Sequence, residues 1–124
     1  PFAVNDTKLS YVSMNGQEVY KFAVKTVPKV IEEAVKKAGL EVEDIDLFVL
    51  HQANLRIMHS TAKKMRLPLE KLVVTVDQHG NTSAASIPLA LDQAVRDGKV
   101  QPGHKILLEG VGGGFTWGAA IVQM

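Results

Sequence analysis

Two hydrophobic periods alternate along this chain. Short apolar runs at Leu47-Phe48-Val49-Leu50, at Leu72 to Val76, at Lys105 to Glu109 and at Phe115 to Gln123 predict four strands, the first three buried. Helical spacing falls before and between them. From Gln17 to Ala38 the positions Val19, Phe22, Ala23, Val27, Val30, Ala34 and Ala38 recur every three or four residues. Met14-Asn15-Gly16 reads as a turn ahead of that helix, and Gly39 closes it behind Lys36 and Lys37. Pro28 lies inside the pattern and predicts a kink or a split into two helices. Residues Pro1 to Asn15 show no lasting period and read as loop or extended chain.

After the acidic connector Glu41 to Asp46 and the first strand, Asn54 to Arg66 predicts an amphipathic helix. Leu55, Met58, Ala62 and Met65 share one face, and Arg56, His59, Ser60 and Lys63 the opposite one. Asn81-Thr82-Ser83 supplies N-cap chemistry for a helix running to about Arg96. The glycine-rich link between the last two strands is short, so they should be antiparallel neighbours. The whole is an α/β domain over residues 1–124, with a mixed β-sheet and helices on both faces.

The helix after Asn81 is apolar almost all round. Ala84, Ala85, Ile87, Pro88, Leu89, Ala90, Leu91, Ala94 and Val95 occupy most of its circumference, and Ser83 and Ser86 add only small polar groups. Such a helix is buried on all sides. The elements above cannot wrap it, so it should pack against a second layer that this chain does not encode.

Composition narrows the class. Hydrophobic residues are 46% and charged residues 22%, enough for an ordinary core. Lys and Arg number 14 against 13 Asp and Glu, a net charge of +1, which argues against a nucleic-acid binder. There is no cysteine, so no disulfide and no thiolate metal site, in keeping with a reducing compartment. No apolar run approaches the roughly 18 residues that span a membrane. His51, His59, His79 and His104 lack close ligand spacing and have no carboxylate pair beside them, which argues against metal.

Three features carry candidate chemistry. His51 follows the first strand, Asn81 follows the second, and Gly112-Gly113-Gly114 follows the third. Ligands of open α/β sheets bind outside the carboxyl ends of the strands, so an imidazole, a carboxamide and bare backbone N–H groups would share one rim, a set suited to holding a negative oxygen. Each has a plainer reading: a core or capping histidine, an N-cap or turn asparagine, a tight flexible link. The Arg56 and Lys63 stripe is a solvated helix face or, with Lys64, Arg66 and Lys71 nearby, a patch for an acidic partner or a phosphate-bearing substrate.

His51-Gln-Ala-Asn-Leu-Arg-Ile57, His79-Gly-Asn-Thr-Ser-Ala-Ala-Ser-Ile-Pro88 and Gly112-Gly-Gly-Phe-Thr-Trp-Gly118 stand in the order found in the C-terminal half of β-ketoacyl-acyl carrier protein synthase III, and Met14 to Val24 fits as well. The chain resembles that family over nearly its whole length. The resemblance implies one half of a thiolase-like fold, with the apolar helix in the central layer. It implies an acyltransferase that starts type II fatty-acid synthesis, joining malonyl-acyl carrier protein to an acyl-CoA primer by decarboxylative Claisen condensation. By resemblance, His51 and Asn81 are catalytic and hold the thioester oxygen, and Gly113 offers the oxyanion N–H. Gly16, Ala53 and Asn54 line the pantetheine channel for coenzyme A, and Lys21, Arg56 and Lys63 dock the acyl carrier protein. No cofactor is implied, and the full enzyme would be a cytoplasmic homodimer that binds neither nucleic acid nor membrane.

The chain departs from the family at one point. The nucleophilic Cys of the family lies in the N-terminal half, and no Ser stands in for it, Ser83 and Ser86 belonging to the apolar helix. The chain therefore reads as a fragment that lacks the N-terminal half and the first strand of its own half, inactive alone. Two other readings stay open: a non-catalytic module that binds acyl carrier protein through Arg56 and Lys63, and a related condensing enzyme that forms other ketides or quinolones.

Overall fold

The computed structural model describes residues 11–124; the reading of 1–10 as loop lies outside the described residues. Helix α1, Gly16–Lys37, begins where the Asn15 side chain accepts the Glu18 N–H at 3.3 Å. It ends in a paired cap. Gly39 takes φ +69°, its N–H donates to Lys36 O, and Leu40 N–H donates to Val35 O. Strand β1 is Leu47–Leu50, helix α2 Leu55–Met65, a single turn α3 Val76–His79, helix α4 Ser86–Arg96, strand β2 Lys105–Gly112 and strand β3 Thr116–Gln123.

The sheet runs β1-β2-β3, with β1 and β2 parallel and β2 and β3 antiparallel. All of β1 is buried, and its alternating residues feed two cores. Phe48 and Leu50, with Leu107 of β2, meet α1 and α2 through Val27, Ile31 and Met58. Leu47 and Val49, with Ile106 of β2, meet α4 through Ala90 and Ala94. Helices therefore cover both faces of a mixed sheet, as the pattern predicts. Each of these large side chains, fully buried, contributes about 1.5–3 kcal/mol.

Several expectations change. Pro28 does not split α1, which runs as one helix of 22 residues with Pro28 itself buried. A mid-helix proline costs ~3 kcal/mol, and burial of Val27, Val30, Ile31 and Val35 along the same face offsets it. The strand expected at Leu72 to Val76 is absent apart from one parallel bridge, Phe48 to Leu72. Val73 N–H still donates to Phe48 O of β1, but from there the Gln52 side chain, not a neighbouring strand, takes the carbonyl of Val73 and the N–H groups of Thr75 and Val76. On α2 the inward residues are Ile57, Met58, Thr61 and Ala62, while Leu55 is turned out. Helix α4 begins at Ser86, not at Asn81, and this chain buries only Ser86, Ala90 and Ala94 of it. Leu89 and Val95 stay 38% and 48% exposed. Among the described residues the outward apolar face of α4 is left uncovered, in keeping with the argument for a further layer.

Candidate functional site at the carboxyl end of the parallel strands

His51 is the first residue beyond β1. Its backbone N–H donates to Glu109 O at 2.8 Å, extending the β1–β2 pairing by one residue and pinning the backbone under the imidazole. The chain then turns, with Ala53 N–H donating to His51 O at 3.0 Å. On the ring, Nδ1 lies 2.7 Å from Ser86 Oγ, the first residue of α4. Burial holds the imidazole below its usual pKa, and the positive end of the α4 dipole works the same way. The ring is therefore neutral near pH 7, with Nδ1 engaged and Nε2 without a partner among the described residues.

Asn81 does not follow a strand, because it stands after the single turn of α3. Nor does it cap α4, whose N-cap position is Ala85. Its Oδ1 accepts the Ser83 N–H at 3.0 Å, a side-chain turn that allows Ser83 its φ of +54°. With the oxygen so used, the Nδ2 amide donors remain available on an exposed residue.

Gly113 lies in the three-residue turn between β2 and β3 and is exposed. A Cβ built on it meets nothing within 4 Å, and the unusual backbone falls instead on Gly114, φ +75°, and Phe115, φ +49°. The turn is braced by Phe115 stacked on Phe22 of α1, ring centroids 4.2 Å apart. Two residues before Gly112, a Cβ on Gly110 would come within 3.4 Å of Ile87 Cδ1 at the start of α4. The end of β1, the start of α4 and the far end of β2 are thus packed together, and this brings the three motifs to one end of the sheet.

The remaining residues are more dispersed. Asn54 caps α2, its Oδ1 accepting the Ile57 N–H at 2.9 Å, and Ala53 is half-buried beside it. Gly16 opens α1. Arg56 lies over the Tyr20 ring, 5.2 Å from its centroid, which ties the first turns of α1 and α2 together. Lys21 is beside it in sequence and pairs with Glu18 at 3.5 Å in solvent, a bond of little energetic weight. Lys63 is exposed two turns further along α2. Hollows of about 520 and 270 Å³ border the later turns of α1, and His51, Asn81 and Gly113 belong to neither. Among the described residues no three His, Cys, Asp or Glu side chains are grouped to hold a metal, and no helix is long and apolar enough to cross a membrane.

Three residues organise this site without figuring among the candidates. Ser86 holds the imidazole. Gln52, fully buried, donates from Nε2 to Leu50 O at 2.8 Å and Val73 O at 3.2 Å and accepts at Oε1 from Thr75 and Val76 N–H. Glu109 is 2% exposed, its Oε1 has no partner among the described residues, and burial pushes its carboxyl up to about 7 against the lowering effect of the His51 backbone N–H. Only Glu109 carried a signal in the sequence, a carboxylate directly behind the apolar run Ile106-Leu107-Leu108.

The family model described as 3-oxoacyl-[acyl-carrier-protein (ACP)] synthase III C terminal matches residues 35–124. The solved β-ketoacyl-[acyl carrier protein] synthase III of Thermus thermophilus is 51% identical, with a TM-score of 0.89 over 90% of this chain and 35% of that one. The 3-oxoacyl-[acyl-carrier-protein] synthase III of Aquifex aeolicus is 45% identical, TM-score 0.89, over 92% of this chain and 37% of that one. The priming β-ketosynthase of the R1128 polyketide pathway is 41% identical, TM-score 0.79, over 90% and 34%. The chain spans about a third of the length of each of these structures.

Proposed function

Since the chain belongs to the family of 3-oxoacyl-[acyl-carrier-protein] synthase III C-terminal domains, we propose that residues 1–124 supply the enolate-binding part of a decarboxylative condensing enzyme whose cysteine nucleophile lies in a separate N-terminal half. The substrates are malonyl-acyl carrier protein and an acyl-CoA primer, and the setting is the start of fatty-acid synthesis. The observation that supports the reading is the neutral His51 ring at the end of β1, anchored through Nδ1 by Ser86 of the motif that also contains Asn81, with no partner at Nε2 among the described residues.

The carbon–carbon bond to the malonyl carboxylate breaks and its electron pair moves into an enolate with charge on the thioester oxygen. His51 Nε2–H and Asn81 Nδ2–H donate to that oxygen. The enolate carbon then attacks the acyl thioester on the cysteine. The oxygen of the resulting tetrahedral centre accepts from the Gly113 N–H, and the cysteine thiolate leaves. One preorganised donor of this kind is worth ~3 kcal/mol, roughly a hundredfold in rate. Asn54, Ala53 and Gly16 flank the pantetheine arm. Lys21, Arg56 and Lys63 face the acidic carrier protein, and Tyr20 holds Arg56 in place.

The test is reassembly. The chain is combined with a Cys-bearing N-terminal half from the family, and carbon dioxide release and 3-oxoacyl product are followed. His51→Ala and Asn81→Ala each lower decarboxylation at least a hundredfold. Normal turnover by either variant would remove the proposed roles. A second reading, a carrier-binding module without catalysis, draws on the exposed, stacked Arg56. It requires salt-sensitive carrier-protein binding that Arg56→Glu abolishes, with no turnover in any reassembly.

A further inference from the structure

We propose that Ser86 is a positioning residue that holds the neutral His51 ring in the tautomer with its proton on Nε2. The use of that proton rests on the condensing-enzyme reading, but the tautomer itself is a property of this chain.

Ser86 Oγ lies 2.7 Å from His51 Nδ1 and 3.2 Å from the backbone nitrogen of Gln52. The Gln52 N–H can only donate, so Oγ is its acceptor. The hydroxyl keeps one proton to place, and among the described residues Nδ1 is the acceptor within reach. Ser86 is 1% exposed, so solvent does not take that proton. If Nδ1 carried the ring hydrogen, the ring and Gln52 would both donate to Oγ, and the hydroxyl proton would be buried without a partner. With the hydrogen on Nε2, Ser86 donates to Nδ1 and every group is satisfied. The cost of a buried, unpaired donor favours the Nε2–H form roughly tenfold or more.

The tautomer decides what the ring presents. An Nε2–H meets a developing enolate oxygen with a donor, whereas the other form would meet it with a lone pair. Ser86 also sets orientation. It opens α4, whose buried Ala90 and Ala94 seat the helix on the sheet, while the same hydroxyl grips both His51 and the residue after it. The ring is thereby held between two elements that cannot shift independently.

The test reads the ring directly. Nitrogen-15-labelled chain of 124 residues is examined by long-range proton–nitrogen spectra of the imidazoles, with His51→Gln used to assign the His51 signals. The wild type should show the Nε2–H pattern, Ser86→Thr should keep it, and Ser86→Ala should raise the Nδ1–H share several-fold. A wild-type ring in the Nδ1–H form overturns the proposal, as does a Ser86→Ala ring with an unchanged pattern. Should Ser86→Ala fail to give a folded spectrum, Ser86→Cys, with a weaker donor of similar size, is read against the same outcomes. Failure of the functional reading looks different: an intact Nε2–H ring in a reassembled enzyme for which His51→Ala changes nothing.

Discussion

The side-chain oxygen of Gln52 accepts the backbone N–H of Thr75 at 2.9 Å, across 23 positions of sequence. The same oxygen takes the Val76 N–H, and the amide nitrogen gives its two hydrogens to Leu50 O and Val73 O. One amide thus does the work of a missing rung of sheet between the segment that ends in His51 and the one that leads to Asn81. Gln52→Met, close in shape and without hydrogen bonds, leaves those backbone groups unpaired in the interior. It should lower stability by ~3–5 kcal/mol. Urea unfolding of wild type and variant checks this; a loss below ~1 kcal/mol would mean that water replaces the amide.

Glu109 makes stability fall as pH rises. Its folded pKa of about 7 lies above the ordinary value of 4.5, so between those limits the folded state holds more proton than the unfolded one. The loss begins near pH 4.5, is complete above about 7, and amounts to ~3 kcal/mol. His51 acts in the opposite sense, because a ring held below 6.5 by burial loses stability as pH falls beneath that value. Glu109→Gln should therefore be more stable than wild type at pH 8 and should keep only the rising, histidine part of the profile. Chemical denaturation at several pH values separates the two, and an unchanged profile would show that the carboxyl is solvated.

Local sequence was enough for β1, the β2–β3 hairpin and the C-terminal end of α1, because each is decided within a few residues: an apolar run, a short glycine link and Gly39 after the helix, whereas Asn15, read as part of a turn, turns out to cap α1. It failed at Leu72 to Val76, where the apolar run is real but after the Phe48 bridge the partner of Thr75 is a side chain 23 positions away. It failed likewise for Asn81, since a capping residue and one bonding its own backbone two residues on look alike in sequence. His51 and Asn81 stood out as residue types; Ser86 did not, because a small polar residue in an apolar helix gives no hint of the ring it faces until the fold brings the two together.

The adjacent glycines of the hairpin should behave differently. Gly114, at φ +75°, resists a side chain, and Gly114→Ala should cost about 1–2 kcal/mol. Gly113 has neither positive φ nor an atom within 4 Å of a built Cβ, so Gly113→Ala should change stability by no more than about 0.5 kcal/mol. If the Gly113 N–H meets the tetrahedral oxyanion, however, the added methyl crowds that approach, and turnover in the reassembled enzyme should drop tenfold or more. Thermal melts and rates are measured on the same variants. Equal turnover by Gly113→Ala and wild type would take the oxyanion away from this amide.

The exposed side of α4 yields a contrast between the chain alone and its assembly. Leu89 is 38% exposed, while Ala90 on the adjoining face is fully buried against β1 and β2. In the isolated chain Leu89→Lys should shift stability by no more than about 0.5 kcal/mol, whereas Ala90→Leu overfills the core and should cost about 1–3 kcal/mol. Against a complementary half the order reverses for binding. Burying the exposed 38% of Leu89 contributes about 1 kcal/mol, and a lysine there would also lose hydration for its charge, so Leu89→Lys should weaken association by roughly tenfold or more. Urea melts of the chain and titration with the N-terminal half give the two numbers. If Leu89→Lys destabilises the isolated chain as much as Ala90→Leu does, the outward face of α4 is already covered, and the argument for a second layer fails.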